Sequence, residues 1–170
     1  NKWRRILAEE FSYNIDWLPR FMTYQYKKLN PSDLSSFKNL LKVFAQAFNE
    51  YDTYQKSIPS DSYLKSLLSK NHFISMVALD GENVIGGLTA YVLEKFEQER
   101  KEIYIYDLAV LAKYRRHGIA THLIKELKQW GKKIGAYVIF VQADYGDEPA
   151  INLYQSLGIR EEVLHFDIGV

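Results

Sequence analysis

Cysteine is absent from the 170-residue chain. That removes disulfides, thiolate metal sites and a cysteine nucleophile, and it fits a reducing compartment. No apolar run approaches the roughly 20 residues needed to span a bilayer. The N-terminal stretch NKWRRILAEEFSYNIDW carries basic residues but no continuous apolar segment of the kind a secretory signal needs. These absences lead to the expectation of a cytoplasmic protein with no membrane partner. Net charge is also nearly absent, at a formal +1, so the whole molecule exerts no general attraction on nucleic acid. Neither a P-loop nor a triple-glycine dinucleotide fingerprint is found. Internal repeats and low-complexity linkers are missing as well.

What is there reads as one domain with a sizeable core, 47% hydrophobic and 25% charged. Met22 opens a strand-like run, MTYQYKKL, so residues 1–21 read as an N-terminal extension and residues 22–170 as the domain. The stretch NPSDLSSFKNLLKVFAQAF predicts a helix, with Asn30 as cap and Pro31 at its first position. Leu34, Phe37, Leu40, Leu41, Phe44 and Phe48 fall on one face. A shorter helix starts near Ser60 or Asp61. HFISMVAL and NVIGGLTAYVL read as a hairpin joined by DGE. EIYIYDLAVL is a further strand, and a long amphipathic helix follows from Ile119. AYVIFVQAD has the composition of a buried strand. DEPAINLYQSL predicts a helix capped by Asp147 and ended at Gly158, and REEVLHFDI a closing strand. The order β-α-α-β-β-β-α-β-α-β defines an α/β (α+β) protein, a mixed sheet with helices on both faces.

Charge is distributed unevenly. Residues 113–133 hold seven Lys/Arg against one acid, Glu126; residues 142–167 hold six acids against one base, Arg160. The two zones suggest ligands of opposite sign, or simply two solvated faces. The stretch YRRHGIATHLI places Arg115, Arg116 and His117 directly before the helix that opens at Gly118. Cations are unfavourable at that positive end unless an anion lies between them. A phosphate or pyrophosphate would accept the unpaired first-turn N–H groups. Gly118 and the small Ala120 leave it room, and the arginines offer forked donors. The alternative is a loop with solvated arginines.

Asp107 is the lone carboxylate of a mostly apolar strand, costly to bury unpaired. It could pair with an arginine, cap a backbone kink, or act on a ligand. Tyr106 points to the opposite face of a regular strand, unless a bulge intervenes. In the acidic zone, Asp144, Asp147 and Glu148 sit between a strand end and a helix start, with Glu161, Glu162 and Asp167 further on. His165 and Asp167 share one strand face, but no third ligand has matching spacing, so no metal is expected. His72 and His122 have no evident partners and read as structural.

Two motifs together carry a resemblance. The loop RRHGIA follows the strand DLAV, and AINLYQSLGI comes about thirty residues later. In this arrangement the chain resembles the GNAT acetyltransferases over roughly residues 22–168. Alanine stands where the last glycine of the family's loop is commoner. More narrowly, EIYIYDLAV followed by GAYVI.VQADYGD.PA..LY..LGIREEV.HFDI looks like the type I aminoglycoside 3-N-acetyltransferases, the gentamicin acetyltransferases. The resemblance implies a mostly antiparallel central sheet, acetyl-CoA as cosubstrate without a metal, and acetyl transfer to the 3-amino group of 2-deoxystreptamine. It implies that Arg115, Arg116, His117, Gly118, Ile119, Ala120 and Thr121 hold the pyrophosphate. Leu108, Ala109 and Val110 would supply backbone groups to pantetheine and thioester. Asp107 would be the base or the ammonium counter-ion, and Tyr154 the acid for the thiolate. Tyr106, Asp144, Asp147 and Glu148 would meet the antibiotic. A polyamine or peptide acceptor, or a non-catalytic acyl-CoA sensor, are the competing readings. The oligomeric state is left open, a homodimer included.

Overall fold

The computed structural model describes residues 24–170; Met22 and the expected extension 1–21 lie outside the described residues. Strand β1 (Gln25–Lys28) leads to helix α1 (Leu34–Phe48), a short helix α2 (Tyr51–Gln55) and helix α3 (Asp61–Leu68). A hairpin follows, β2 (Phe73–Asp80) with β3 (Asn83–Glu94), and then β4 (Lys101–Val110), α4 (Ile119–Lys133), β5 (Ala136–Val141) and α5 (Glu148–Gln155). The five-stranded sheet runs in chain order, and every pair is antiparallel except β4–β5.

Each long element follows from its sequence, with informative departures. α1 starts at Leu34 rather than at Pro31. Asn30 is used in a turn instead: its Oδ1 accepts from the Ser32 N–H at 2.8 Å, while the Asn30 N–H donates to Asp33 Oδ2 at 3.0 Å. Ser60 caps α3 by accepting from the Tyr63 N–H at 3.2 Å. α2 has no apolar periodicity, which is why the sequence pattern passes over it. β5 is not a buried strand: it is the sheet edge, and Tyr137, Val138 and Phe140 are exposed there. Residues 160–168 form no strand. Alternation supplies side chains for two faces but not a partner, and among the described residues no backbone ladder engages this segment.

The sheet separates two cores. On one face Ile74, Met76, Leu88, Ile103 and Ile105 pack with Ile119, Leu123 and Leu127 of α4. On the other, Phe73, Val77 and Ala109 pack with Phe37, Leu40 and Phe44 of α1 and Leu64 of α3. Gly87 brings α1 close: a Cβ there would lie 2.5 Å from the Met76 carbonyl oxygen and 2.6 Å from Leu40 Cδ1.

Two irregularities in the ladder shape the middle of the sheet. Leu79 pairs with Val84 and Ala78 with Gly86, so Ile85 is an extra residue. Thr89 pairs with Asp107 and Ala90 with Ile105, so Tyr106 is an extra residue in β4. Each is a bulge that bends the strand and re-aims its side chains.

Candidate active site

The bulge at Tyr106 decides where the carboxylate goes. In a regular strand Tyr106 and Asp107 would face opposite ways; here both reach residues of the α1 face. The Tyr106 ring meets Tyr91, which packs against that core, at 5.9 Å. Asp107 Oδ1 accepts the hydroxyl of Tyr54 from α2 at 3.1 Å. The bulge, and not a regular strand, therefore sets the direction of both side chains.

An aromatic row runs across four strands beside Asp107. Centroids are separated by 5.3 Å for Phe73–Tyr91, 5.9 Å for Tyr91–Tyr106, 5.9 Å for Tyr106–Tyr104 and 4.9 Å for Tyr104–Phe140. Phe73 is buried at one end, while Tyr106 is 63% exposed. Such rings present π-faces that attract cations and pack on sugar rings. Tyr54, Thr89, Tyr91 and Tyr104 escaped the sequence reading. The i, i+2 spacing of Tyr104 and Tyr106 was the one available signal.

Asp107 is half-buried, and burial pushes its carboxyl above the ordinary value. The Tyr54 hydroxyl opposes this by favouring the ionised form, the negative charge of Glu50 adds to the rise, and Thr89 again opposes it. The net direction is upward, toward a carboxylate that takes a proton more readily.

β4 pairs with β5 only as far as Ile105 with Val141. The strand continues to Val110, so Leu108, Ala109 and Val110 keep β3 on one side and lose β5 on the other. After Val110, a 3₁₀ turn at Ala112–Tyr114 leads into the basic loop. Tyr114 ties this loop down by donating to Asp80 Oδ2 at 2.9 Å. Arg115 folds back, its Nε donating to the Val110 carbonyl at 3.2 Å. Arg116 has φ 67° and Gly118 φ 75°, both left-handed. His117 Nδ1 lies 3.1 Å from the Tyr24 hydroxyl. α4 then begins with no side-chain cap and no acid in its first turn. Ile119 is buried in the α4 core, Ala120 and Thr121 are half-buried, and among the described residues a Cβ built on Gly118 meets nothing within 4 Å.

The remaining candidates are placed on α5 and the segments flanking it. Asp147 caps α5, its Oδ1 accepting from the Ala150 N–H at 3.2 Å. Glu148 opens that helix and Asp144 precedes it, both exposed. Tyr154 is half-buried on α5; burial, then the charge of Asp147, pushes its hydroxyl up to about 12. Among the described residues no hydrogen bond or ion pair joins Asp144, Asp147 or Glu148 to Asp107. Glu162 is engaged by Arg160 and by the Tyr145 hydroxyl, the latter at 2.8 Å. His165 lies 3.2 Å from Asp167, and among the described residues no group of three or more His, Asp or Glu side chains could hold a metal. His122, which the sequence left without partners, stacks on Tyr26 at 3.9 Å and pairs with Glu126 at 3.5 Å. No helix of the described residues is long and apolar enough to cross a membrane.

The mixed sheet thus parts beyond a bulge, next to an uncapped helix start. Residues 38–159 match the Acetyltransferase (GNAT) family, and the chain belongs to that family. It is 52% identical to HMB0005, an aminoglycoside acetyltransferase from an uncultured soil metagenomic sample, with 88% of this chain and 99% of that one covered at a TM-score of 0.86. It is 35% identical to meta-AAC0020, also an aminoglycoside acetyltransferase from an uncultured soil sample and solved in complex with sisomicin, over 86% of this chain and 96% of that one at a TM-score of 0.79. Among curated proteins, N-acetyltransferase 8B of Rattus norvegicus is 28% identical over 102 residues, 60% of this chain. That match spans 46% of the relative, so the chain covers about half of its length.

Proposed function

We propose that this chain transfers the acetyl group of acetyl-CoA to an aminoglycoside, at the 3-amino group of its 2-deoxystreptamine ring. The observation that carries this reading is the half-buried Asp107 carboxylate beside an exposed aromatic row, on the part of β4 that β5 leaves unpaired. The high identity to one soil aminoglycoside acetyltransferase and the sisomicin complex of another support the substrate class. The similarity of residues 102–168 to type I enzymes supports the ring position.

The residues present fit the cosubstrate. Among the described residues the space over Gly118 is open, the first turn of α4 lacks a competing acid, and the left-handed turns at Arg116 and Gly118 are of the kind that can present backbone N–H groups to an anion. Arg115, Arg116 and His117 would flank the pyrophosphate, while Gly118, Ile119, Ala120 and Thr121 would offer backbone donors. Leu108, Ala109 and Val110 would hold the pantetheine arm by their free edge. Bound acetyl-CoA supplies an activated acetyl thioester.

The reaction then needs a neutral amine. Asp107 takes a proton from the acceptor ammonium, and burial, which raises its carboxyl, favours that uptake. The amine nitrogen bonds to the acetyl carbon as the carbon–sulfur bond breaks. Tyr154 remains protonated throughout the physiological range and donates its proton to the departing thiolate. The nitrogen still carries one proton too many after attack; it gives that proton up through solvent, which restores the Tyr154 hydroxyl, and the proton held by Asp107 leaves to solvent, so one proton is released per transfer. Tyr106 and the acids Asp144, Asp147 and Glu148 would receive the other ammonium groups, with Asp147 still capping its helix.

Thiol release from acetyl-CoA, followed with gentamicin, with spermidine and with no acceptor, tests the reading. Release with gentamicin alone, yielding product acetylated at the 3-amino nitrogen by NMR, is the expected result. Acetylation at another amine would move the ring position. Release with spermidine only would assign a polyamine acceptor, and binding without release would assign a sensor.

A further inference from the structure

Asp107 is reached from two elements that its own strand does not determine. From the helical layer, Tyr54 donates its hydroxyl to Oδ1 at 3.1 Å. Within the sheet, Thr89 of β3 lies directly opposite Asp107, and Ser75 of β2 lies directly opposite Thr89. Residues paired in this way project to the same face. Ser75 and Thr89 are the buried polar side chains among the described residues, 1% and 7% exposed. A polar line therefore crosses three strands through an apolar sheet and ends at the carboxylate. The Ser75 hydroxyl has no hydrogen-bond partner among the described residues, whereas Thr89 hydrogen-bonds the Asp107 carboxyl, so it is the near end of this line that acts on the carboxylate. Tyr54 closes the line from the other layer, and its ring is itself fixed. Its centroid is 5.7 Å from that of Phe44, a buried residue of α1, and 6.0 Å from that of Phe48.

We propose that Tyr54 is a positioning residue: its hydroxyl, with Thr89 as second support, holds the Asp107 carboxylate in one orientation toward the acceptor amine. This rests on the acetyltransferase reading with Asp107 as base. A ring packed between phenylalanines makes a directional donor, and a fixed base costs little reorganisation during proton transfer. The groups facing the carboxylate are Tyr54 and Glu50 from the α1–α2 segment, Thr89 and Tyr91 from β3, and Tyr104 and Tyr106 from β4. Burial and Glu50 favour the protonated form, whereas Tyr54 and Thr89 favour the ionised form. Losing the Tyr54 hydroxyl therefore leaves the first pair less opposed, and the carboxyl titrates at higher pH.

Tyr54→Phe tests this, because it keeps the ring packing and removes the donor. The expected kcat/KM for the aminoglycoside falls about ten- to a hundredfold, the loss of one hydrogen bond to a charged group. The acid limb of its pH profile moves upward, and KM for acetyl-CoA stays unchanged. In an Asp107→Asn background the same change should have little further effect, since there is no base left to position. Thr89→Val should move the acid limb the same way by a smaller step. A carbon-13 titration of the Asp107 carboxyl, without any acceptor, reads the contact independently of activity: it should move upward in Tyr54→Phe. If the full-length protein acetylates no aminoglycoside, the substrate reading fails, and this titration still decides the role of Tyr54. An unmoved carboxyl titration, or an equal loss of rate in both backgrounds, would overturn the proposal.

Discussion

Asp107 is held at a cost to stability. Burial raises its carboxyl above the unfolded-state value. Between those two values the unfolded chain ionises while the folded one stays protonated. Stability therefore falls as pH rises from the unfolded-state value through the raised folded-state one. Asp107→Asn removes the penalty while keeping an oxygen for the Tyr54 hydroxyl. The variant should melt at a higher temperature than the parent at pH 7, and the difference should shrink as pH falls and vanish toward about pH 3, below the unfolded carboxyl's value, where both forms of the parent are protonated. A calorimetric melt at the two pH values checks it; a lower melting temperature at pH 7 would show that the carboxylate supports the fold. Asp107 was legible in the sequence because one acid among apolar and aromatic neighbours is anomalous. Tyr54 was not, because nothing distinguishes one tyrosine of thirteen until the fold lays α2 over the sheet. Tyr106 needed the bulge, which depends on pairing with a strand eighteen residues earlier, Thr89 being opposite Asp107.

The element that reads most clearly from sequence is α4. Its apolar spacing and its basic prelude both survive in the structure, from Ile119 to Lys133 with Gly118 before it. The elements that do not are those set by neighbours rather than by their own pattern. β5 has a core strand's composition yet lies at the edge, and REEVLHFDI alternates yet finds no strand to pair with. The basic loop adds a feature no pattern could show, a non-glycine residue at φ 67°, Arg116. Such a conformation costs about 1–2 kcal/mol, and strain of this kind gathers where a ligand is bound. Replacing Arg115 and Arg116 together by alanine should raise KM for acetyl-CoA more than tenfold, with each well-formed charged contact contributing about 1.5–3 kcal/mol. The aminoglycoside constant should hardly move. Gly118→Ala should cost about 1–2 kcal/mol in a denaturant melt from its positive φ alone, since the added carbon touches nothing within 4 Å among the described residues. A Gly118→Ala protein with parental stability would mean that the loop relaxes to another conformation.

Across the whole molecule, the two sheet faces divide the labour. The face under α4 is a sealed apolar core, with Leu123 and Leu127 fully buried. The face under α1 starts as a core and opens into the aromatic row beside Asp107. The parting of β4 from β5 beyond Ile105 and Val141 leaves a free backbone edge between the carboxylate and the start of α4. An arrangement of this kind would bring a basic loop, a strand edge and a single base into line for transfer from a thioester to an amine.

The most direct test of that claim is steady-state acetyl transfer to gentamicin by Asp107→Asn, measured across pH beside its melting curve. The variant should stay folded, bind acetyl-CoA as the parent does, and lose turnover by about 10²–10⁴-fold, the usual contribution of a general base. Its residual rate should climb with pH as water deprotonates more of the amine. Near-parental turnover in the folded variant would contradict the account, and a raised gentamicin KM with turnover kept would make Asp107 an anchor for the ammonium instead of its base.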